Sequence, residues 1–472
     1  MRRLAALVIV IVVSLGSARA ATYYVDYAGG SDSNAGTSKT APWKLHPFMV
    51  GFTGTYTHAA GDQFIFKGGV AWPNSVFPML LKGGGTSAGF DYYGVDKTWF
   101  SGASWTRPRF DLQGKETATT NRVVDFNNPS KNFITFQSIE VVGFYWDGPS
   151  TYGQDTMFYV YYASNVTFDD MYIHNYSHGP ASDGTTDNMR MFLGNGTSPY
   201  SPGVVLQNCV VEGDGNSGFV AFNIPTVKGC TISNMPNAIV GAVLVVGNTI
   251  SKVTSSFDPL QHENGIETFR PAEVYNNVIS DIEAGVAILS TPCFYAKSSG
   301  ITGYDKIYNN VIYTSSPVPI QVDTQYSLGT CGAFVWNNTL TGGSFGAGSC
   351  IRAVPRTGYA LDLLVMQNNQ CISTNTSLAC YNVTACGTVN NVTLDHNLLQ
   401  TPLTAAQQGY SASNLLKPVA RGGTIGAGTN APAAQFTADR IRNPRPSAGP
   451  WDIGAYQFTS PPPPQNLISN PH

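Results

Sequence analysis

Charge is scarce in this 472-residue chain. Lys, Arg, Asp and Glu make up 12% of it, against roughly 25% in an average soluble domain. The net charge is −3 and no run of Lys or Arg occurs, which argues against a nucleic-acid partner, because phosphates need clustered cations. A local cationic patch for an acidic ligand stays open. The Ala, Glu, Lys and Leu blocks that build amphipathic helices are missing, so strands and turns are expected instead. Past the first residues, nothing approaches the roughly 20 consecutive apolar residues of a membrane-spanning helix. Zinc-site cysteine spacing and a compact calcium-loop pattern are also lacking.

What is present begins with Met1-Arg2-Arg3, an apolar run from Leu4 to Val13 and Ala18-Arg19-Ala20, the pattern of a signal peptide cleaved after Ala20. The chain is therefore expected to be secreted. Eight cysteines follow (Cys209, Cys230, Cys293, Cys331, Cys350, Cys371, Cys380, Cys386), an even number compatible with up to four disulfides in an oxidising compartment. Seven Asn-x-Ser/Thr triplets, at Asn165, Asn175, Asn195, Asn337, Asn375, Asn382 and Asn391, follow from composition and do not by themselves establish glycosylation.

Internal repetition decides the fold class. Segments such as "VKGCTIS", "VVGNTIS", "VYNNVIS", "IYNNVIY" and "VWNNTLT" align on Cys230, Asn248, Asn277, Asn310 and Asn338, with earlier copies at Ile139, Met171 and Cys209 and later ones near Asn369 and at Asn397. The irregular spacing suits one coil of three short strands with loops of variable length. A second series, including "SGFVAF", "NAIVGA", "NGIETF", "AGVAIL" and "VPIQVD", recurs after the first in each coil. Two strand series in constant order predict an all-β chain wound as a single-stranded right-handed parallel β-helix with an asparagine ladder. Cys209 and Cys230 fall in the ladder column, either as a disulfide or as two buried thiols.

The ends carry a resemblance. "TYYVDYAGGSDSNAGTSKTAPWK" (22–44) with "GDQFIFKGG" (61–69), and "RIRNPRPSAGPWDIGAYQF" (440–458), resemble the first and last segments of secreted proteins in the pectate-lyase-like β-helix superfamily. Gln457 stands where the closing motif usually has Glu. The expected organisation is a leader (1–20), an N-terminal cap with the first coils (21–120), a helical core (121–400), a C-terminal capping segment (401–459) and a Pro-rich tail (460–472). Trp43 and the apolar residues after it are expected to cover the first coil, since a bare end would expose unpaired strands and core.

Alternation along the second series directs Met189, Phe219, Ile239, Ile266, Val286, Ile320 and Ile351 inward and Arg190, Val220, Val240, Glu267, Ala287, Gln321 and Arg352 outward. Charge concentrates at "HENGIETFR" (262–270) and at "HNYSHGPASDGTTDNMR" (174–190). His, carboxylates and Arg are the parts of a general acid/base site and of a grip on an acidic sugar. The candidate catalytic residues are His262, Glu267 and Glu263. Arg190, Arg270, Arg352, Asn264 and His178 are candidates for substrate binding, and Asp183 and Asp187 for a Ca2+ ion. His396, beside the Asn column, and most of the aromatics in "FYWDG" (144–148) and "FYVYYAS" (158–164) are assigned to structure.

The resemblance implies a polysaccharide partner and an enzyme that acts on it as a monomer, more readily a lyase on a uronate-containing glycan than a hydrolase or an epimerase. A non-catalytic glycan-binding or adhesion solenoid is the alternative from another class. The motif set of polygalacturonases and the Arg-x-Pro-x-x-Arg segment of many pectate lyases are absent. "FDPLQHE" (257–263) matches the "FDPHE" of mannuronan epimerases only with Leu260-Gln261 inserted.

Overall fold

The computed structural model describes residues 19–117, 121–126, 131–146, 156–178, 189–195, 201–215, 218–254, 263–283, 285–294, 303–313, 318–324, 330–342, 349–356, 358–374, 377–384, 386–420 and 422–459. The expectations for the leader up to residue 18, for the Pro-rich tail and for His262, Asp183 and Asp187 lie outside these residues. No helix among those described is long and apolar enough to cross a membrane.

Each coil contributes one short strand to each of three sheets in turn, and every strand pair is parallel, for example Glu273–Tyr275 on Gly303–Tyr308, Val278–Ser280 on Val311–Tyr313 and Val286–Ser290 on Val318–Val322. Among the described residues the first, second and third sheets hold 13, 13 and 11 strands. The chain is thus a parallel β-helix, as its repeats predict. Its core is a set of apolar columns running along the axis. Val245, Val274, Ile307 and Val335 line it from the first sheet and Ile239, Ile266, Ile288, Ile320 and Ile351 from the third, all fully buried. Branched residues suit these columns because their stiff side chains pack against identical neighbours one strand spacing away.

The Asn-Asn doublets divide their labour at the corner between the first and second sheets. The first member adopts the left-handed conformation, with φ of 58° at Asn276, 55° at Asn309, 49° at Asn337 and 58° at Asn368, which Asn tolerates better than most residues. The second member points inward. Asn248, Asn277, Asn310, Asn338 and Asn369 each donate from Nδ2 to the Oδ1 of the next, ending on Asn397, at 2.9–3.0 Å. Each also donates to a first-sheet carbonyl, such as Asn310 to Val274 at 2.9 Å. The copy at Asn369 is a full rung of this ladder. His396 takes the left-handed position before Asn397, with φ 51°, and its Nδ1 lies 2.5 Å from the Asp395 carboxylate.

The first members face outward and hold the C-terminal segment. Asn309 donates to Ala438 O (2.9 Å), Asn337 to Asp452 O (3.1 Å) and Asn368 to Thr429 O (2.7 Å). Buried Arg445 reaches Asn309 Oδ1 (2.9 Å) and Gly454 O (3.1 Å). The segment 424–456 therefore lies along this corner of the last coils. Asn337 is fully buried, so its sequon carries no accessible amide. At the other end Trp43 is buried, stacks on Tyr23 with centroids 4.6 Å apart and donates its indole N–H to Asn34 O, the covering role expected of it.

Three disulfides form, Cys293–Cys331, Cys350–Cys371 and Cys380–Cys386, consistent with folding in an oxidising compartment. Cys209 and Cys230 are buried thiols, which resolves the alternative in the ladder column. Burial, and then its hydrogen bond with Cys230, raises the Cys209 thiol well above its ordinary range. At the corner between the third and first sheets, Asp305 is fully buried. It accepts from Thr268 Oγ1 (2.6 Å), Ser290 Oγ (2.7 Å) and Ala272 N (2.9 Å). Burial pushes its carboxyl up to about 7 despite these donors.

Two outcomes follow from this architecture. Asn310→Ala removes a rung whose neighbours are all buried, and leaving them unpaired costs about 3 kcal/mol; the denaturation midpoint will fall accordingly, and an unchanged midpoint contradicts the ladder's role. Asp305 keeps its proton longer in the folded chain than in the unfolded one, so stability falls as pH rises between about 4 and 7. Melting curves of Asp305→Asn across that range will show this component of the slope removed.

Candidate functional site

The outer face of the third sheet gathers most of the polar residues singled out from the sequence. Its strands do not alternate simply. At Met191-Phe192, Val220-Ala221 and Ala287-Ile288 two successive side chains enter the core, and the ladder skips the first of each pair, as in Arg190↔Phe219 followed by Phe192↔Ala221. The residues on either side of the pair therefore share the outer face. Val220 and Ala287, expected outward, are core residues, and Phe219, expected inward, lies beneath the Arg190 guanidinium. The period-2 rule fails here because the local irregularity turns two neighbours to the same side.

One outward column can be followed strand by strand, through Asp125, Tyr159, Leu193, Phe222, Val240, Glu267, Leu289, Gln321 and Arg352. Val240, Glu267, Gln321 and Arg352 are thus outward as expected. Glu267 sits near the middle. Arg190 lies three strand steps to one side and Arg352 three to the other, about 14 Å each way at the usual strand spacing.

Glu267 ends the strand Asn264–Glu267. Asn264, itself buried, donates from Nδ2 to Glu267 Oε2 at 3.2 Å. The residue keeps an accessible edge, yet its carboxyl is pushed up to about 7, mainly by burial and further by the charge of Asp323, against the opposing Asn264 hydrogen bond. Asp323 was not singled out from the sequence, where it stands alone after the apolar "PVPIQV". It follows the strand two steps beyond Glu267, and its field also acts on Arg352. Only the stacking of coils brings these groups together.

Arg352 donates to Gln321 Oε1, and burial lowers its pKa while Asp323 acts in the opposite sense. Arg190 is buried and its guanidinium carbon lies 5.5 Å from the Phe219 ring centroid and 4.8 Å from that of Phe222, a cation–π arrangement. Arg270 closes the same coil as Glu267 and reaches back to Asn223 Oδ1 at 3.4 Å. Gly241 on the intervening coil permits this approach. Its φ is +75°, and a Cβ there would come within 2.3 Å of Asn223 Oδ1 and 3.0 Å of the Phe269 ring.

Glu263 is buried at the head of the Glu267 strand, and its carbonyl accepts from Val286 N. His178 belongs to a two-residue strand paired with the second-sheet strand Glu140–Trp146, away from the column. His174 is likewise on the second sheet, where Nε2 lies 3.0 Å from Glu140 Oε1. Of the described residues of segment 174–190, His174 and His178 thus lie with the second sheet and Arg190 on the third. Among the described residues no three His, Cys, Asp or Glu side chains converge as metal ligands.

No protein-family model matches the chain and no curated protein matches it. Among solved structures it is similar to pectate lyase Pel9A (14% identity, TM-score 0.43, covering 94% of this chain and 98% of that one) and to a rhamnogalacturonan lyase (14%, 0.41, 80% and 87%). It is also similar to a lacto-N-biosidase from Eubacterium ramulus (13%, 0.41, 81% and 68%). The three stacked parallel sheets, established here by the chain's own strand pairing, are consistent with the pectate-lyase-like β-helix superfamily that the end segments resemble.

Proposed function

We propose that the outer face of the third sheet binds a polysaccharide along the axis of the solenoid, and that Glu267 transfers the proton when a glycosidic bond is cut. The observation that carries this reading is the place of Glu267, partly exposed on the outer face between buried neighbours, where burial and the charge of a second carboxyl, Asp323, hold its own carboxyl near neutrality. A carboxyl poised at about 7 can both hold and release a proton at neutral pH, the property general acid/base chemistry needs.

The paired carboxyls support hydrolysis. Protonated Glu267 gives its proton to the glycosidic oxygen as the bond to the ring carbon breaks, and water adds to that carbon while Asp323 accepts the proton it sheds. The guanidinium groups support a second reading, elimination on a uronate. Ionised Glu267 then removes the proton beside the carboxylate, the leaving oxygen departs and is protonated by solvent, and a double bond remains in the ring with no water added. An arginine on the face offsets the uronate charge in that case. His262 in proton transfer and Asp183 and Asp187 as calcium ligands remain proposals, tested by His262→Ala and by a chelator.

Mass spectrometry of products from a panel of neutral and acidic polysaccharides, with and without chelator, separates these routes. Water-added ends mark hydrolysis, unsaturated ends mark elimination, and intact chains retained on the protein leave a binding solenoid. Glu267→Gln is expected to lower kcat/KM by about a hundredfold or more, the scale of acid/base catalysis, with Asp323→Asn also impaired. The pH profile gives the sign: hydrolysis with Glu267 as acid declines above about 7 and elimination with Glu267 as base rises through about 7. A Glu267→Gln enzyme of unchanged rate rejects the site.

A further inference from the structure

We infer that Tyr159, Tyr161 and Tyr162 form a distal sugar-binding platform at the N-terminal end of the third-sheet face; this rests on the reading of that face as a glycan cleft. The segment "FYVYYAS" (158–164) is assigned mainly to the core from its sequence. In the structure it splits. Phe158, Val160 and Ala163 are core residues, whereas Tyr159 and Tyr161 are partly exposed and Tyr162 is 49% exposed.

The tyrosine rings are ordered against one another. Tyr159 and Tyr161 stack with centroids 5.8 Å apart and planes 9° from parallel, and Tyr161 meets Tyr162 edge-on at 5.0 Å. The backbone beneath them is pinned by Val160 N to Leu193 O (3.0 Å), Ala163 N to Val160 O (3.1 Å) and Ser201 Oγ to Val160 O (3.2 Å). On the Tyr159 ring rests the Arg122 guanidinium at 3.7 Å, itself paired with Asp125 at 2.6 Å. Tyr159, held by the buried Arg122–Asp125 pair, backs the Tyr161 and Tyr162 rings, and these two rings offer flat apolar surface for the C–H face of a pyranose ring and hydroxyls for its polar edge.

Register connects this cluster to the cleavage point. Tyr159 stands in the same outward column as Glu267, four strand steps away through buried Leu193, partly exposed Phe222 and buried Val240. That is about 19 Å along the axis, several times the length of one sugar ring. The ligand class is therefore the pyranose backbone of a polymer, engaged several rings from the bond that breaks, and the platform selects long chains over short ones.

The test measures retention on an immobilised glycan array of graded chain length, using Glu267→Gln to prevent turnover, with and without Tyr159→Ala, Tyr161→Ala and Tyr162→Ala together. The tyrosine variant is expected to lose affinity for chains longer than about six residues by about tenfold while its affinity for fragments of about three residues changes less than about twofold. Replacing the same tyrosines by Phe is expected to restore most of the loss, which a folding defect would not. Equal affinity for long chains in both proteins overturns the platform and leaves the Glu267 site standing. Equal loss at every length also overturns it, and unchanged cleavage by the Glu267→Gln variant rejects the cleft reading itself.

Discussion

Everything in this molecule is set by the parallel stacking of one strand on the next, and the buried asparagine ladder secures that stacking at its most demanding place. A corner in a solenoid turns the backbone sharply and leaves peptide groups facing the interior, where an unpaired group is costly. Asn248 through Asn397 supply donors and acceptors in a repeating unit that each added coil completes. The outward asparagines beside them then tie the C-terminal segment to the same corner. One residue doublet thus satisfies the interior and positions the closing segment.

The same stacking makes the third sheet a ruler. Residues remote in sequence, such as Tyr159, Glu267 and Arg352, occupy one column because each coil repeats the register of the last. Loop lengths vary freely without disturbing it. Chemical groups can therefore be placed along a linear polymer at fixed intervals, and a carboxyl such as Glu267 acquires its properties from neighbours on other coils. Desolvation and Asp323 raise it, Asn264 opposes them, and of these only Asn264 is close in the chain.

The fold was largely legible because repetition is a property of sequence. The Asn columns, the alternating strands and the burial of Trp43 at the first coil could all be read from residue type and order. At the site the legible part was the outward direction of Glu267, Gln321 and Arg352, which follows from alternation. The misplacement of Val220, Ala287 and Phe219 arose where two successive side chains turn into the core, a local irregularity that residue type does not announce. Asp323 carried no local signal at all.

By itself, the sequence determined the coil: its three strands, its polar corner and the apolar columns that bury one another when coils stack, because each of these depends on the spacing of residues within a few positions. Only the tertiary structure decided which distant residues share a column, that Cys209 and Cys230 stay thiols while six other cysteines pair, and that the charge of Asp323 acts on Glu267. Those outcomes depend on how loops of unequal length bring strands into register, and on the desolvation that the finished stack imposes.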